Sequence, residues 1–201
     1  MLNKNGLPLQ LLGETVILDE VKPQYFPYVI SWRNDENLNR HLNQPTTLTI
    51  ESQSQWYEQR YMKDDTQGFV VMLDKNDNEP FATLGWTDLD REKRQCIMGR
   101  LLLGNANYSN SPAFLEGILL LSEYLYSLVD VMYIHVGVKN KKALRLNRRL
   151  GFVPNEGIIQ YPHELFVQGD KTREQIEFYR TKDMFYDKKK KIFDNIHDNL
   201  I

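Results

Sequence analysis

Val136-Gly-Val-Lys-Asn140-Lys-Lys-Ala143-Leu-Arg145-Leu-Asn147-Arg-Arg-Leu150-Gly151-Phe152 is the stretch on which the reading of this chain turns. The apolar run from Val131 to Val138 that leads into it has the length and β-branched content of a buried strand. Asn140 is a good helix cap, because its side chain can accept from an N–H of the first turn that has no partner inside the helix. Ala143, Leu146 and Leu150 then recur at helical spacing, and Arg148 and Arg149 complement the negative end of the helix dipole. Gly151 can take the left-handed turn that stops the helix, and Phe152 opens the next buried strand.

The elements on either side follow from the same rules. Thr15 to Leu18 is a short β-branched strand, and Tyr25, Phe26, Tyr28, Val29 and Trp32 form a helical apolar stripe that ends at Arg33-Asn34-Asp35. A short helix is predicted over Glu36 to Leu42, and another, capped by Thr49 with Glu51 in its first turn, through Met62. Phe69 to Leu73 and Phe81 to Trp86 read as a hairpin around the polar turn 74–80. Cys96 to Leu103 is the next strand. The polar loop 104–111 leads into a helix from Pro112 to Leu128 that is apolar on nearly every side, as a helix buried against a sheet must be. Pro154 to Gly157 reads as a loop, Ile158 to Phe166 as an irregular strand, Gly169-Asp170 as a turn, and Ile176 to Thr181 as a last strand.

The pattern V-x-x-x-N-x-x-A followed by L-G-F, carried here by Val136, Asn140, Ala143, Leu150, Gly151 and Phe152, resembles the second half of the GNAT acyl-CoA N-acyltransferase superfamily. The resemblance extends from about residue 14 to about residue 185, because the order of elements also fits. It implies an α/β (α+β) fold with a mixed, mostly antiparallel sheet of six or seven strands flanked by helices and splayed between the fourth and fifth strands. The ending near Lys182-Asp183-Met184-Phe185 looks like the branch that includes ribosomal-protein, polyamine and nucleotide-linked amino-sugar acetyltransferases.

By that resemblance acetyl-CoA is the co-substrate. Its pantetheine arm would run along Leu101 and Leu103, its pyrophosphate would meet Ser109, Asn110, Ser111, Ala113 and Phe114, Asn140 would bond the arm, and Lys142 and Arg145 would neutralise phosphates. The loop departs from the family pattern. Where the family has arginine or glutamine, two residues, glycine, one residue, then glycine or alanine, this chain has Ser109-Asn-Ser-Pro112-Ala-Phe114. Both glycine-type positions are lost, and Pro112 has no N–H to offer. Either side chains of the loop replace the backbone donors, or the site has been converted to another ligand.

Acyl transfer to an amine asks for a neutral amine, donors for the developing oxyanion and a proton for the departing thiolate. Many enzymes of the family place a tyrosine where this chain has Asn147. Asparagine cannot serve as an acid, which leaves water, Tyr108 or Tyr161, or departure of the thiolate without help. His41, in the early helical region, is the candidate base, while His135 reads as a sheet histidine. Arg33 and Trp86 are candidates to border the acceptor, Arg33 because a guanidinium can hold a phosphate or carboxylate.

The chain has 201 residues and a formal net charge of −2, with 25 Lys and Arg against 27 Asp and Glu. That balance gives no reason to expect a nucleic-acid partner. One cysteine, Cys96, leaves no internal disulfide and fits a cytoplasmic location. The histidines and Cys96 lack ligand spacing, so no metal site is expected, and no run has membrane-spanning length. Residues 1–186 are expected to form a single domain, with 187–201 a basic amphipathic tail or helix whose apolar positions Ile192, Phe193, Ile196 and Leu200 pack on the domain or support a homodimer. The expected activity is acetyl transfer to a primary amine, with an amino sugar on a nucleotide as the acceptor. Protein N-termini and a non-catalytic GNAT-fold binding protein are the alternatives.

Overall fold

The structure, a computed structural model, describes residues 10–42, 46–160 and 174–197. Within them, eight strands form one sheet: β1 Gln10–Leu12, β2 Val16–Glu20, β3 Gly68–Asp74, β4 Pro80–Asp90, β5 Gln95–Leu103, β6 Val131–Gly137, β7 Val153–Gln160 and β8 Glu174–Thr181. They lie in the order β1-β2-β3-β4-β5-β6-β8-β7. Every neighbouring pair is antiparallel except β5 and β6, which are parallel because the long helix between them carries the chain back over the sheet.

That crossover helix, α4 Pro112–Leu128, has the expected bounds. Ile118, Leu119, Leu121, Leu125 and Tyr126 are buried along it, packed on Val70 and Met72 of β3, Leu84 and Trp86 of β4, and Met132 and Ile134 of β6. Burial of each such side chain contributes about 1.5–3 kcal/mol. The other face carries a smaller core. There α1 Phe26–Asn34 and α3 Ile50–Gln59 pack Phe26, Val29, Trp56 and Tyr57 onto Phe69, Val71 and Leu73. This second layer leaves β5, β6 and β8 less covered than β2 and β3, and the candidate site lies on that half of the sheet.

Several expectations hold in detail. Thr49 caps α3 in a reciprocal box with Ser52, and Asn140 Oδ1 accepts from the Ala143 N–H at 3.1 Å at the start of α5 Lys141–Arg149. Gly151 takes the left-handed conformation at φ +86 that ends the helix.

Others are corrected. The sheet has eight strands, not six or seven, because Gln10–Leu12 adds an edge to β2. The helix after α1 is shorter than expected, α2 Glu36–Asn39. Pro154 to Gly157 belongs to β7, where a register shift between Pro154 and Ile158 absorbs the proline and glycine. The last helix, α6 Lys182–His197, crosses the expected boundary at residue 187. Phe185 is fully buried beside Tyr126 and Lys189 pairs with Glu123 of α4, so the start of the basic segment is docked on the domain. Tyr161, His163, the 169–170 turn and Leu200 lie outside the described residues.

Candidate active site

The central feature is a split in the sheet. β5 and β6 pair only at Gln95↔Val131, Cys96↔Met132 and Ile97↔Tyr133. Beyond them the strands diverge, so the β6-facing edge of Met98 to Leu103 has no ladder partner, while β6 stays fully paired to β8 on its other side. A Cβ built on Gly99 or on Gly137 meets nothing within 4 Å, so the sheet face over each of these two glycines is uncovered.

A bulge sharpens the divergence. Between Thr83 and Gly85 of β4, the partners on β5 advance from Leu102 to Gly99, one residue more than a regular ladder allows. Arg100 sits in this break at φ +56, its carbonyl taken by Thr83 Oγ1 at 2.8 Å. The extra residue changes which face each side chain meets. Cys96 and Met98 point into the α4 core before the bulge, and Leu101 and Leu103 pack against the same core after it.

Two helix starts border the open end of the gap. At α4, Ser111 is the cap, its side chain accepting from the Ala113 N–H at 3.2 Å, and Pro112 occupies the first turn. The preceding 3-10 turn, Ala106–Tyr108, takes up further donors: the N–H groups of Tyr108, Ser109 and Ser111 go to Asn105, Ala106 and Tyr108 carbonyls. The loop has therefore spent most of its backbone donors on itself. At α5 the first turn carries Lys141 and Lys142 and no acid, with Lys139 before it and Arg145 after it, all exposed. Cations at this end oppose the helix dipole, an arrangement that becomes favourable when an anion is held there.

At the closed end a cavity of about 250 Å³ opens on the face away from α4, among Asp88, Gln95, Ile97, Tyr133, Asn155 and Glu177. Strand alternation puts them there: Ile97, Tyr133 and Glu177 come from three neighbouring strands, each offset by one from a residue of the α4 core. Glu177 is tied at both oxygens. His135 Nε2 lies 2.9 Å from Oε2, and Asn155 Nδ2 donates to Oε1 at 2.7 Å. The pair is partly buried, with side-chain exposures of 13% for His135 and 24% for Glu177.

On the same side, toward α1, Arg100 runs its side chain over Gly85 and lays its guanidinium against the Trp56 and Phe69 rings, 5.4 and 5.2 Å from the centroids. It donates to Gln67 Oε1. Burial pulls its pKa down to about 10, and the nearby Arg33 guanidinium pushes the same way. Arg33, in the last turn of α1, is likewise lowered by burial. Both remain charged at neutral pH.

The residues singled out in the sequence fare differently. Leu101 and Leu103 line the unpaired edge, and Asn140, Lys142 and Arg145 stand at its mouth with Ser109, Asn110, Ser111, Ala113 and Phe114 opposite. Arg33 lies in the last turn of α1, outside the residues that line the cavity. Trp86 does not border it: the ring is fully buried in the α4 core, on the other face of the sheet. Tyr108 donates its hydroxyl to Asp74 at 2.8 Å and stacks on Phe81 at 4.1 Å, which pins the loop to the end of β3 and raises the phenol to about 12. Asn147 is buried and spends its Nδ2 on the Ala143 carbonyl of its own helix, 2.9 Å away. His41 follows α2, half-buried, outside the residues that line the cavity. His135, read from the sequence as a sheet histidine, stands behind the cavity wall, bonded to the lining residue Glu177. Glu177, Asn155, Tyr133 and Arg100 were missed.

Mixed strand order, a long crossover helix, a β5–β6 split and an asparagine-capped helix at its mouth are the architecture of the GNAT fold, and this chain has that fold. No protein-family model matches the sequence, nor does any curated protein. Solved structures do. A spermidine N-acetyltransferase from Vibrio cholerae, in complex with CoA and spermine, superposes with a TM-score of 0.73 at 15% identity, over 87% of this chain and 99% of that one. FdhC in its apo form, a nucleotide-linked sugar GNAT, gives 0.67 at 19% identity over 92% and 97%. A GCN5-related N-acetyltransferase from Brucella melitensis gives 0.74 at 18% identity over 93% and 85%.

Proposed function

We propose that this chain is an acyl-CoA-dependent N-acetyltransferase that moves an acetyl group from acetyl-CoA to a primary amine. The observation that carries this reading is the edge of Met98 to Leu103, left without a ladder partner where β5 and β6 part. Strand backbone left without a ladder partner is a row of donors and acceptors of the kind a pantetheine amide chain can pair with. The slot runs from the basic start of α5 to the cavity at the closed end, which sets phosphates at one end and the reacting thioester at the other.

In this reading the amine enters the cavity and loses its proton to the His135–Glu177 pair, with Asn155 holding the carboxylate in place. The free nitrogen then forms a bond to the acetyl carbon and gives up its second proton, the carbon–sulfur bond breaks, and the thiolate leaves with the electron pair, so that this proton ends on the sulfur or in solvent. A thiol is already acidic enough to depart as the anion, and Tyr133 is the phenol on the cavity wall that can supply a proton. Asn147 acts in neither step, since its amide nitrogen serves its helix. Asn140 combines cap and cofactor contact, and Lys142 and Arg145 take the phosphate charge that the self-satisfied α4 loop does not.

The test is release of thiol from acetyl-CoA with a panel of amines. Turnover that falls at least a hundredfold in Glu177→Gln, with CoA affinity kept, supports the assignment; full activity in that variant removes the pair from the mechanism. A second reading, a GNAT-fold protein that binds without catalysis, is favoured by the α4 start alone, where capping has replaced the phosphate loop. Absence of thiol release with every amine would select it.

A further inference from the structure

The sheet face away from α4 is uncovered beside the gap and stays open past its closed end. A Cβ on Gly99 or Gly137 would meet nothing within 4 Å, and Ile97 and Tyr133 follow further in on the same face of the same two strands. These two residues are the last rung of the β5–β6 ladder and the floor of the cavity of about 250 Å³. The other face offers no room at this point: Cys96, Met98, Met132 and Ile134 are at most 4% exposed in the α4 core. A chain drawn along the gap to its closed end can therefore continue only over Ile97 and Tyr133. What surrounds that floor is polar. Asp88 of β4 stands on one side, Glu177 of β8 and Asn155 of β7 on the other, and Gln95 beyond, with no lysine or arginine among the described lining residues. Glu177 is held by His135 and Asn155. Asp88 is exposed and takes a left-handed backbone at φ +53, in the irregular stretch between Thr87 and Asp90. Arg100, near enough for Asp88 to favour its charge, lies outside that lining and donates to Gln67.

We propose that Ile97 and Tyr133 form an acyl floor, which takes neutral straight acyl groups of up to about four carbons and turns away acyl groups that end in a carboxylate. The limit follows from the spacing. Neighbouring strands lie about 4.8 Å apart, and an extended chain of about four carbons crosses that distance before it meets the polar rim. Each methylene laid on the isoleucine and the phenol leaves water, which favours binding. A terminal carboxylate would instead stand between Asp88 and Glu177, where like charge and partial burial both oppose it. Because acyl group and amine occupy one cavity, each added carbon takes room from the acceptor. The inference rests on the acetyltransferase reading for the presence of a thioester, and its test reads binding, not turnover.

Calorimetric titration with free CoA and with acetyl-, propionyl-, butyryl-, octanoyl- and malonyl-CoA isolates the acyl group on one carrier. Affinity should rise about two- to fourfold per carbon from acetyl to butyryl, gain nothing further at octanoyl, and fall about tenfold from butyryl to malonyl. Ile97→Phe, which fills the floor, should bring acetyl- and butyryl-CoA to within about twofold of each other. Asp88→Asn should narrow the gap between butyryl- and malonyl-CoA about threefold. Should Ile97→Phe fail to melt cooperatively, Asp88→Asn, at an exposed position, carries the comparison. Affinity that does not rise from acetyl to butyryl or that keeps rising to octanoyl, malonyl-CoA that binds as tightly as butyryl-CoA, or a profile unchanged in both variants would overturn the proposal. Equal binding of all the ligands, free CoA included, would remove the acyl floor and keep the acetyltransferase reading; binding of none would remove both.

Discussion

Two helices begin at the mouth of the same slot and treat their positive ends in opposite ways. α4 is closed by its own residues: Ser111 caps it, Pro112 removes a donor, and the 3-10 turn before it consumes three more N–H groups. No basic residue lies between Gly104 and Leu128. α5 has a cap as well, Asn140, but is ringed by Lys139, Lys141, Lys142 and Arg145 against its dipole. Under the proposed function, the difference means that anion binding has passed from backbone to side chains. Backbone N–H groups need glycine for close approach, whereas flexible cations tolerate a bulkier loop and leave a salt-dependent signature.

The contrast is most severely broken through the residue that anchors both helices. Arg180 is fully buried, donating to Leu150 O behind α5 at 2.7 Å and to Ser122 Oγ of α4 at 2.9 Å, with Nε to Tyr126. Its guanidinium lies 4.2 Å from the Phe152 ring centroid. Arg180→Ala strips Leu150 O of its partner, leaves Ser122 and Tyr126 with one bond each, to Ile118 O and to the backbone O of residue 180, and opens a cavity, and should cost about 3–5 kcal/mol in denaturant unfolding; a loss under 1 kcal/mol would mean that the two helices are not held there.

The closed end of the slot has its own test. Burial raises the Cys96 thiol to about 12, so the folded chain keeps its proton while the unfolded chain releases it near 8.5. Stability from this residue is complete below that value and is lost as pH rises toward 12, at about 1.4 kcal/mol per unit. Denaturant midpoints should fall between pH 9 and 11 by more in the parent than in Cys96→Ala, and Cys96 should not react with a thiol reagent at pH 8 until the protein unfolds. Fast labelling of the native protein would place the residue elsewhere.

At the mouth itself, removing the cations together in Lys142→Ala/Arg145→Ala should weaken CoA binding about tenfold at low salt and flatten its salt dependence. Ser109→Ala should change it by less than twofold. The smallest effect sharpens the same point from the other side: Pro112→Gly restores a backbone donor and should tighten CoA about threefold, the value of one modest hydrogen bond. An unchanged affinity would show that the α4 start does not touch the phosphates.

The fold was legible because its signals are local. Asn140, Ala143, Leu150 and Gly151 state a cap, a buried face and a stop within a dozen residues, and the apolar helix from Pro112 has no other place to go than onto a sheet. The edge strand Gln10–Leu12 was not legible, since three residues carry no period. The candidate site was legible only where its residues share a local pattern. Asn140, Lys142, Arg145 and Leu101 sit within motifs, but Glu177 and His135 meet through a pairing 42 residues apart that no local pattern announces. Trp86 was assigned to the wrong face because aromatic character does not report which side of a strand a residue takes. Arg100 did leave a trace: a glycine followed by a charge inside Met98-Gly-Arg-Leu-Leu-Leu103 breaks strand alternation as a bulge does.

The most direct measurement is a calorimetric titration of the protein with acetyl-CoA and with free CoA, repeated on Asn140→Ala. The account predicts micromolar binding of both, weakened about tenfold by the substitution as cap and cofactor contact are lost together. No detectable binding of either ligand to the folded parent would contradict it, leaving the split between β5 and β6 as a site for a different molecule.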